Sequence, residues 1–409
     1  MLLPSKPCLL LIGAGMAGTR FLDELLALGS DYQITVFNSE PFGGYNRIML
    51  SPVLAKEKAI AEIMTHDAHW FAANGIDLHT DKSVIAIKRS QQQVITDSGE
   101  VFSYDKLIIA TGSKPFILPI DNTHLPGVVS FRDIADVQKM QQVADGGKHA
   151  VVIGGGLLGL EAAYGLQKQG MQVSVVHRSE VLMNAQLDVE AGAMLQTELE
   201  AKALRFYMGN EVAEIVANAD ANHIQAVRLK DSRQLPCDLL VMAIGIRPNV
   251  ELGIQATLEV NRGIVVNDQL LTEDANIYAL GECVEHRGQT YGLVAPLYEQ
   301  AKVLAQVLRG QTQAAYQGSL TSTKLKVTGI NLFSAGNFNG GEGCQELIFR
   351  DPQANIYRKL VLQDNKVVGA LLYGDTYDAN WFFELLQNGT DITEMRDTVL
   401  FGQGFNSAA

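Results

Sequence analysis

An α/β fold made of two Rossmann-like dinucleotide-binding domains, followed by a C-terminal α+β domain, is the architecture the sequence predicts. Three observations predict it. The turn Gly-x-Gly-x-x-Gly occurs twice, as Gly13, Gly15, Gly18 and as Gly154, Gly156, Gly159. Each copy lies between an apolar run of strand length and a stretch whose apolar residues recur at helical spacing. From residue 316 onward the pattern changes to short apolar strands and one late helix, and 409 residues suit two or three domains rather than one.

In "PCLLLIGAGMAGTRFLDELLALGSDYQITVFNSE", Leu9 to Ile12 reads as a buried parallel strand and Phe21 to Leu28 as a helix. The three glycines have separate tasks. Gly13 permits the tight turn, Gly15 lets a pyrophosphate approach the backbone, and Gly18 lets the helix pack on the strand. The phosphates then meet a helix N-terminus, where free N–H groups and the dipole favour anions. A second strand, Gln33 to Phe37, ends near Glu40, where an acid can bond the ribose hydroxyls.

The design returns in "HAVVIGGGLLGLEAAYGLQKQGMQVSVVHRSE", with strands Ala150 to Ile153 and Gln172 to Val176 around the second glycine turn. Two dinucleotides are therefore expected to bind. Where the first copy offers Glu40, the second offers His177 and Arg178. A cation there can accept a 2′-phosphate, which leans towards NADPH. Gly159 leans the other way, because NADPH enzymes often place a larger residue there, and the choice between the two nicotinamide nucleotides stays open.

Composition narrows the class of function. Apolar residues make up 47% and charged residues 19%, an ordinary folded chain rather than a disordered or fibrous one. The net charge of −13, with no basic cluster, argues against nucleic acid as a partner, because binding phosphates needs grouped Lys and Arg. Pro4 and Pro7 interrupt the apolar N-terminus, and Gly13 ends it short of the roughly 20 residues of a membrane helix. With no membrane span and no signal peptide, a cytoplasmic location is expected. Cys8, Cys237, Cys283 and Cys344 are far apart, so neither a disulfide framework nor a metal site is expected.

Further stretches carry a resemblance. "YDKLIIATGSKP" holds Ala110, Thr111 and Gly112, "LPCDLLVMAIGIRPN" holds Gly245, and "IYALGECVE" holds Gly281 and Glu282. In this order and spacing the chain resembles the two-dinucleotide flavoprotein reductases, whose fold is glutathione-reductase-like. The resemblance implies an FAD-binding domain over 1–114 and 246–315, an NAD(P)H-binding domain over 115–245 and a C-terminal interface domain over 316–409. "YNRIMLS", "LMNAQLD", "YGLVAPLYEQA", "STKLKVTGINLFSAG" and "VVGALLYGDTYDANWFFELL" are similar to the flavin module of the assimilatory NAD(P)H nitrite reductase large subunit, from Leu9 to about Gly404. In the large nitrite reductases an iron–sulfur domain and a sirohaem domain follow this module. The present sequence is expected to hold the flavin module alone.

The resemblance also implies roles. Glu40 holds the adenosine ribose, Arg47 and Arg132 sit beside the FAD, and Glu282 reaches the ribityl hydroxyls. Ala110, Thr111 and Gly112 end their strand at the FAD, Gly245 does so at the nicotinamide domain, and Gly281 accompanies Glu282. Pro296 and Leu297 begin a helix whose N-terminus faces the flavin pyrimidine ring and can stabilise negative charge there. Relatives often pair the glutamate just after the second glycine turn, here Glu161, with a lysine directly after "LS". That position is Pro52 here, so a catalytic Glu161 is expected to be neutral or paired elsewhere if buried.

Disulfide reductases of the superfamily, and several oxidases, carry a redox cysteine soon after the ribose acid. Residues 38 to 55 contain none. Cys283 lies on the ribityl segment rather than on the redox helix, and Cys8 and Cys344 read as core or surface. Reduced flavin is then expected to pass electrons to another protein, an iron–sulfur or rubredoxin-like acceptor such as a nitrate or nitrite reductase subunit. The implied function is an FAD-dependent NAD(P)H oxidoreductase of nitrite or nitrate assimilation. A rubredoxin or ferredoxin reductase of another pathway and an NAD(P)H-responsive sensor stay open as alternatives, as does a homodimer. In the C-terminal part, "LKVTGINLFSAG", "RKLVLQD" and "KVVGALLYG" read as strands and Asn380 to Leu386 as a helix. Phe333, Trp381, Phe382 and Phe383 read as core, and the acceptor is expected to lie against this domain.

Overall fold

A computed structural model of the chain describes residues 6–320, 322–327 and 329–406. The chain folds into two compact units. One gathers the described parts of Met1–Leu50, Lys58–Pro115 and Gly245–Ser319, and the other those of Ser51–Glu57, Phe116–Ile244 and Leu320–Ala409.

The first unit is built on a five-stranded parallel sheet in the order Ile277–Ala279, Lys106–Ile109, Cys8–Ile12, Gln33–Phe37 and Asp77–His79. Strands buried on both faces of a parallel sheet read as unbroken apolar runs rather than alternating ones, and Leu9, Leu11, Leu107 and Ile108 are fully buried. Ile12 pairs with both Phe37 and Ile109. Gly13, Asn38 and Ala110 therefore leave the sheet side by side at its carboxyl edge, the place where open α/β sheets bind ligands. The helices Met16–Ala27 and Val294–Leu308 contribute Phe21, Leu22, Leu25, Leu297, Ala301 and Leu304 to the same core.

The second unit repeats the design with Val128–Ser130, Leu239–Met242, His149–Ile153, Gln172–His177 and Arg205–Met208, all parallel. It also holds a five-stranded antiparallel sheet in the order Ser322–Val327, Ile330–Gly336, Lys366–Tyr373, Ile356–Gln363 and Gln345–Asp351. The helix Ala379–Asn388 packs on it through Ala379, Phe382 and Leu385. Phe333 and Phe382 are buried in that core, with Trp381 and Phe383 packed against it, as their spacing predicts.

The C-terminal sheet, expected from the sequence as a domain of its own, groups with the second unit. Polar side chains account for this. Tyr357 donates to Asp188 at 2.7 Å, Tyr373 donates to Glu198 at 2.8 Å, and Arg350 forks onto Glu190 at 2.5 and 2.8 Å. The three acceptors line the start and body of the helix Val189–Ala201, which Asp188 caps. Lys359, only 6% exposed, is matched by Glu346 at 2.8 Å and Asp188 at 3.6 Å, as a buried cation must be. Tyr373→Phe removes one of these bonds without opening a cavity and is expected to cost about 1 kcal/mol. Thermal unfolding monitored by circular dichroism checks it, and an unchanged melting temperature would show that the bond contributes nothing.

The segment Ser51–Glu57 also belongs to the second unit, although its chain neighbours on both sides belong to the first. Its backbone explains why. Gln141 donates to the Val53 carbonyl at 2.8 Å and Gln169 to the Leu54 carbonyl at 2.7 Å, while fully buried Leu54 packs where only a glycine, Gly165, leaves room.

Candidate functional site

The first glycine turn is shaped by what each position cannot or need not hold. A Cβ on Gly13 would lie 2.3 Å from the Ala110 carbonyl oxygen, and its φ of +112° already disfavours any other residue. A Cβ on Gly18 would lie 2.2 Å from the Gly13 carbonyl oxygen. Around Gly15 there is nothing within 4 Å, and its φ of −72° is open to any residue. Gly13 and Gly18 are thus demanded by packing and Gly15 is not. Gly15 is also the N-cap of Met16–Ala27, and no side chain caps that helix. Its first N–H groups are left without side-chain acceptors beside an open space, which is what a phosphate needs.

The unit that carries this turn also holds Glu40, Arg47, Ala110, Thr111, Gly112, Gly281 and Glu282. Glu40 forms an ion pair with Arg47 and accepts a hydrogen bond from the Tyr45 hydroxyl at 2.7 Å, while the Arg47 guanidinium lies 4.8 Å from the Tyr45 ring centroid. The Ala110 N–H donates to the Ile12 carbonyl. Thr111 and Gly112 are held by Asn249, a residue that sequence reasoning passed over. The Thr111 hydroxyl donates to the Asn249 carbonyl at 2.8 Å and the Asn249 N–H to the Gly112 carbonyl at 2.9 Å. Asn249 follows the "IRP" that pairs antiparallel with Ser113–Pro115, and that pairing is what brings it there. Gly281, at φ +92°, donates its N–H to fully buried Gln300, and Glu282 accepts from the Ser113 hydroxyl at 2.8 Å.

One placement differs from expectation. The helix thought to begin at Pro296 and Leu297 begins at Val294, so these are its third and fourth residues. Proline is accepted there because the N–H groups of a helix's first turn have no intrahelical partner to lose. Arg132 lies in the second unit, within the span expected for it, and its backbone N–H donates to Asp136 at 2.9 Å.

The second turn repeats the first at its three glycines. A Cβ on Gly154 would meet the Ala243 carbonyl oxygen at 2.3 Å, one on Gly159 the Gly154 carbonyl oxygen at 2.0 Å, and one on Gly156 nothing within 4 Å. The helix Leu157–Lys168 starts from Gly156 without a side-chain cap. Gly245, at φ +112°, also has open space where a Cβ would be. The strand register pairs Ile12 with Phe37 and Ile153 with Val176, so His177 occupies the place of Asn38, Arg178 that of Ser39, and Ser179 that of Glu40. Arg178 is exposed. His177 is not the accessible cation expected beside it. Its Nδ1 accepts the Gly155 N–H at 3.1 Å, Nε2 is buried, and burial holds its pKa below the ordinary histidine value.

On the same helix, Glu161 accepts a hydrogen bond on Oε2 from Ser51 at 2.5 Å. Burial pushes its carboxyl above the ordinary glutamate value, and the Ser51 bond pulls partly back. Ser51, one residue before Pro52, thus partners Glu161. The four cysteines are all free. Cys283 is fully buried with its thiol directed at the Leu280 and Ile109 carbonyls, and burial pushes the Cys237 thiol up to about 12, so neither is a ready thiolate. Among the described residues no helix is long and apolar enough to cross a membrane, and no group of His, Cys, Asp and Glu could hold a metal ion.

Comparison with known proteins agrees with this geometry. The family profile described as "Pyridine nucleotide-disulphide oxidoreductase" matches residues 8–314, and that described as "Rubredoxin NAD+ reductase C-terminal domain" matches residues 322–390. A nitrite reductase [NAD(P)H] of Bacillus subtilis is 48% identical over 390 residues, covering 95% of this chain and 48% of that protein. An assimilatory nitrate reductase electron transfer subunit of the same organism is 46% identical over 396 residues, covering 97% and 51%. The chain thus spans about half the length of these two relatives. The crystal structure of a ferredoxin reductase from Rhodopseudomonas palustris superimposes with a TM-score of 0.87 at 25% identity, covering 98% of this chain and all of that one.

Proposed function

Because the chain belongs to the pyridine nucleotide-disulphide oxidoreductase family, we propose that it is an FAD-dependent NAD(P)H oxidoreductase that supplies electrons to an iron–sulfur or rubredoxin-like protein in nitrate or nitrite assimilation. The observation that carries the reading is the pair of matching turns. Two uncapped helix N-termini, each beside a glycine with empty space at its Cβ, fit two pyrophosphates, which supports the dinucleotide FAD as the flavin. The names of the two long relatives and the match to a rubredoxin reductase C-terminal domain support the pathway and the class of acceptor.

A flavin held there would supply hydride acceptance from the nicotinamide and one-electron release. The chain's own residues bind and hold protons. The N–H groups at the start of Met16–Ala27 take one pyrophosphate and Glu40, oriented by Arg47 and Tyr45, takes the adenosine ribose. Glu282, held by Ser113, presents its carboxylate to hydroxyls. The positive end of Val294–Leu308 favours negative charge on the ligand. Glu161, whose carboxyl burial pushes above the ordinary glutamate value, is the group placed to hold a proton, while Ser51 fixes its Oε2. The absence of a cysteine between residues 38 and 55, together with the buried Cys237 and Cys283, supports electron transfer outward rather than to a thiol.

Anaerobic mixing with NADPH or NADH tests the reading: the flavin absorption should bleach and cytochrome c should then be reduced. A flavin that stays oxidised with both nucleotides would sink it. Arg178 decides between the nucleotides. It makes no hydrogen bond or ion pair among the described residues, so its charge is available to a 2′-phosphate. Arg178→Ala is expected to lower kcat/KM for NADPH about tenfold and leave that for NADH unchanged. Equal effects on both would return Arg178 to an ordinary solvated charge.

A further inference from the structure

His177 and Gly155 fit each other in a way the first turn does not repeat. At the corresponding positions the first turn has Ala14 and Asn38, and the Asn38 carboxamide turns away to donate to the Phe42 carbonyl at 2.7 Å. In the second turn the imidazole takes the space above the glycine: a Cβ on Gly155 would lie 2.8 Å from its Cγ and Cδ2. The Gly155 peptide is pinned on both sides, its N–H by His177 Nδ1 at 3.1 Å and its carbonyl by the Met183 N–H at 2.8 Å. The His177 carbonyl in turn accepts the Asn210 N–H.

We propose that His177 is a positioning residue of the nicotinamide nucleotide site, which as neutral imidazole accepts the Gly155 N–H and so fixes the turn that receives the pyrophosphate. The proposal rests on reading the second turn as that site. Nδ1 can accept only while it carries no proton, and in the imidazolium both nitrogens are donors. Protonation would set N–H against N–H at Gly155 and release the turn. Burial opposes protonation, and the charged group acting on the ring, Arg178, opposes it as well. The turn itself contributes only glycines; the Asn184 side chain and the Val181 peptide, which do not titrate, favour the protonated ring, but burial outweighs them. The site therefore stays assembled at neutral pH and loosens only in acid.

The dissociation constants of NADPH and NADH, measured on the flavin-loaded protein from pH 5 to pH 8, test this. Wild type should bind with constant affinity near neutrality and more weakly as pH falls through the lowered histidine value, by up to about tenfold, the scale of one hydrogen bond. His177→Asn places a carboxamide oxygen where Nδ1 stands and cannot titrate in this range, so its affinity should match wild type at neutral pH and stay flat. His177→Ala should bind about tenfold more weakly at every pH, with unchanged flavin content. An acid limb that persists in His177→Asn, or full affinity in His177→Ala, overturns the role of His177. Failure of wild type to bind either nucleotide at any pH overturns instead the reading of the second turn.

Discussion

The Gly15→Ala variant is expected to melt at the parent's temperature and to leave purification without flavin. A methyl group there meets nothing within 4 Å and the backbone is in an ordinary extended conformation, so folding loses nothing. The methyl occupies the space through which a pyrophosphate reaches the helix N–H groups, and the flavin should bind at least about a hundredfold more weakly, or roughly 3 kcal/mol. Gly156→Ala is the mirror experiment. It should keep its flavin, since the first turn is untouched, and fail to be reduced by NADPH or NADH at concentrations that reduce the parent. Gly13→Ala, by contrast, drives a Cβ to 2.3 Å from a carbonyl oxygen and should harm folding itself. Absorption spectra and thermal melts of the three variants separate these outcomes. Retention of flavin by Gly15→Ala would mean that the pyrophosphate lies elsewhere.

Glu161→Gln should slow flavin reduction by about a hundredfold, the usual contribution of one positioned proton-holding group. Its carboxyl titrates above the ordinary glutamate value because burial disfavours the charge. The protonated form thus persists to higher pH than for an ordinary glutamate, and the reduction rate of the parent should fall as pH rises through that elevated value. Ser51 stabilises the ionised form, so Ser51→Ala pushes the carboxyl higher still and should move the falling limb to higher pH. Glu161→Gln should show no limb. The stability sign follows from linkage: the folded protein binds this proton more tightly than the unfolded chain, so its stabilising contribution is complete at low pH and is lost as pH rises. Glu161→Gln should therefore gain in melting temperature relative to the parent at alkaline pH. Stopped-flow reduction across pH checks the limb, and one that survives in Glu161→Gln assigns it to another group.

The two turns were legible in the sequence because their information is local. Gly13, Gly15 and Gly18 span six residues, and the apolar strand and helix that flank them advertise their own periods. The late helix over Ala379–Asn388 and its buried Phe382 could be read for the same reason. The partners of the site residues were not legible. Ser51 and Glu161 are 110 residues apart, and Asn249 reaches Thr111 across 138. Nothing in a single sequence marks which serine or asparagine a fold will bring to which carboxylate or carbonyl. His177 misled for a related reason. Beside Arg178 it reads as a second cation, and only the close fit to Gly155 shows a neutral ring. The grouping of Ser51–Glu57 with the second unit depends on carbonyls accepting from Gln141 and Gln169, which leave no compositional trace.

The most direct test of electron flow without a thiol is the stoichiometry of anaerobic reduction. A flavin that passes electrons outward from a chain with no redox thiol takes up two electrons, so bleaching should be complete at about one equivalent of NADPH or NADH per flavin. Uptake of a second equivalent, with a new long-wavelength band of thiolate beside oxidised flavin, would show a redox-active cysteine in series and contradict the account.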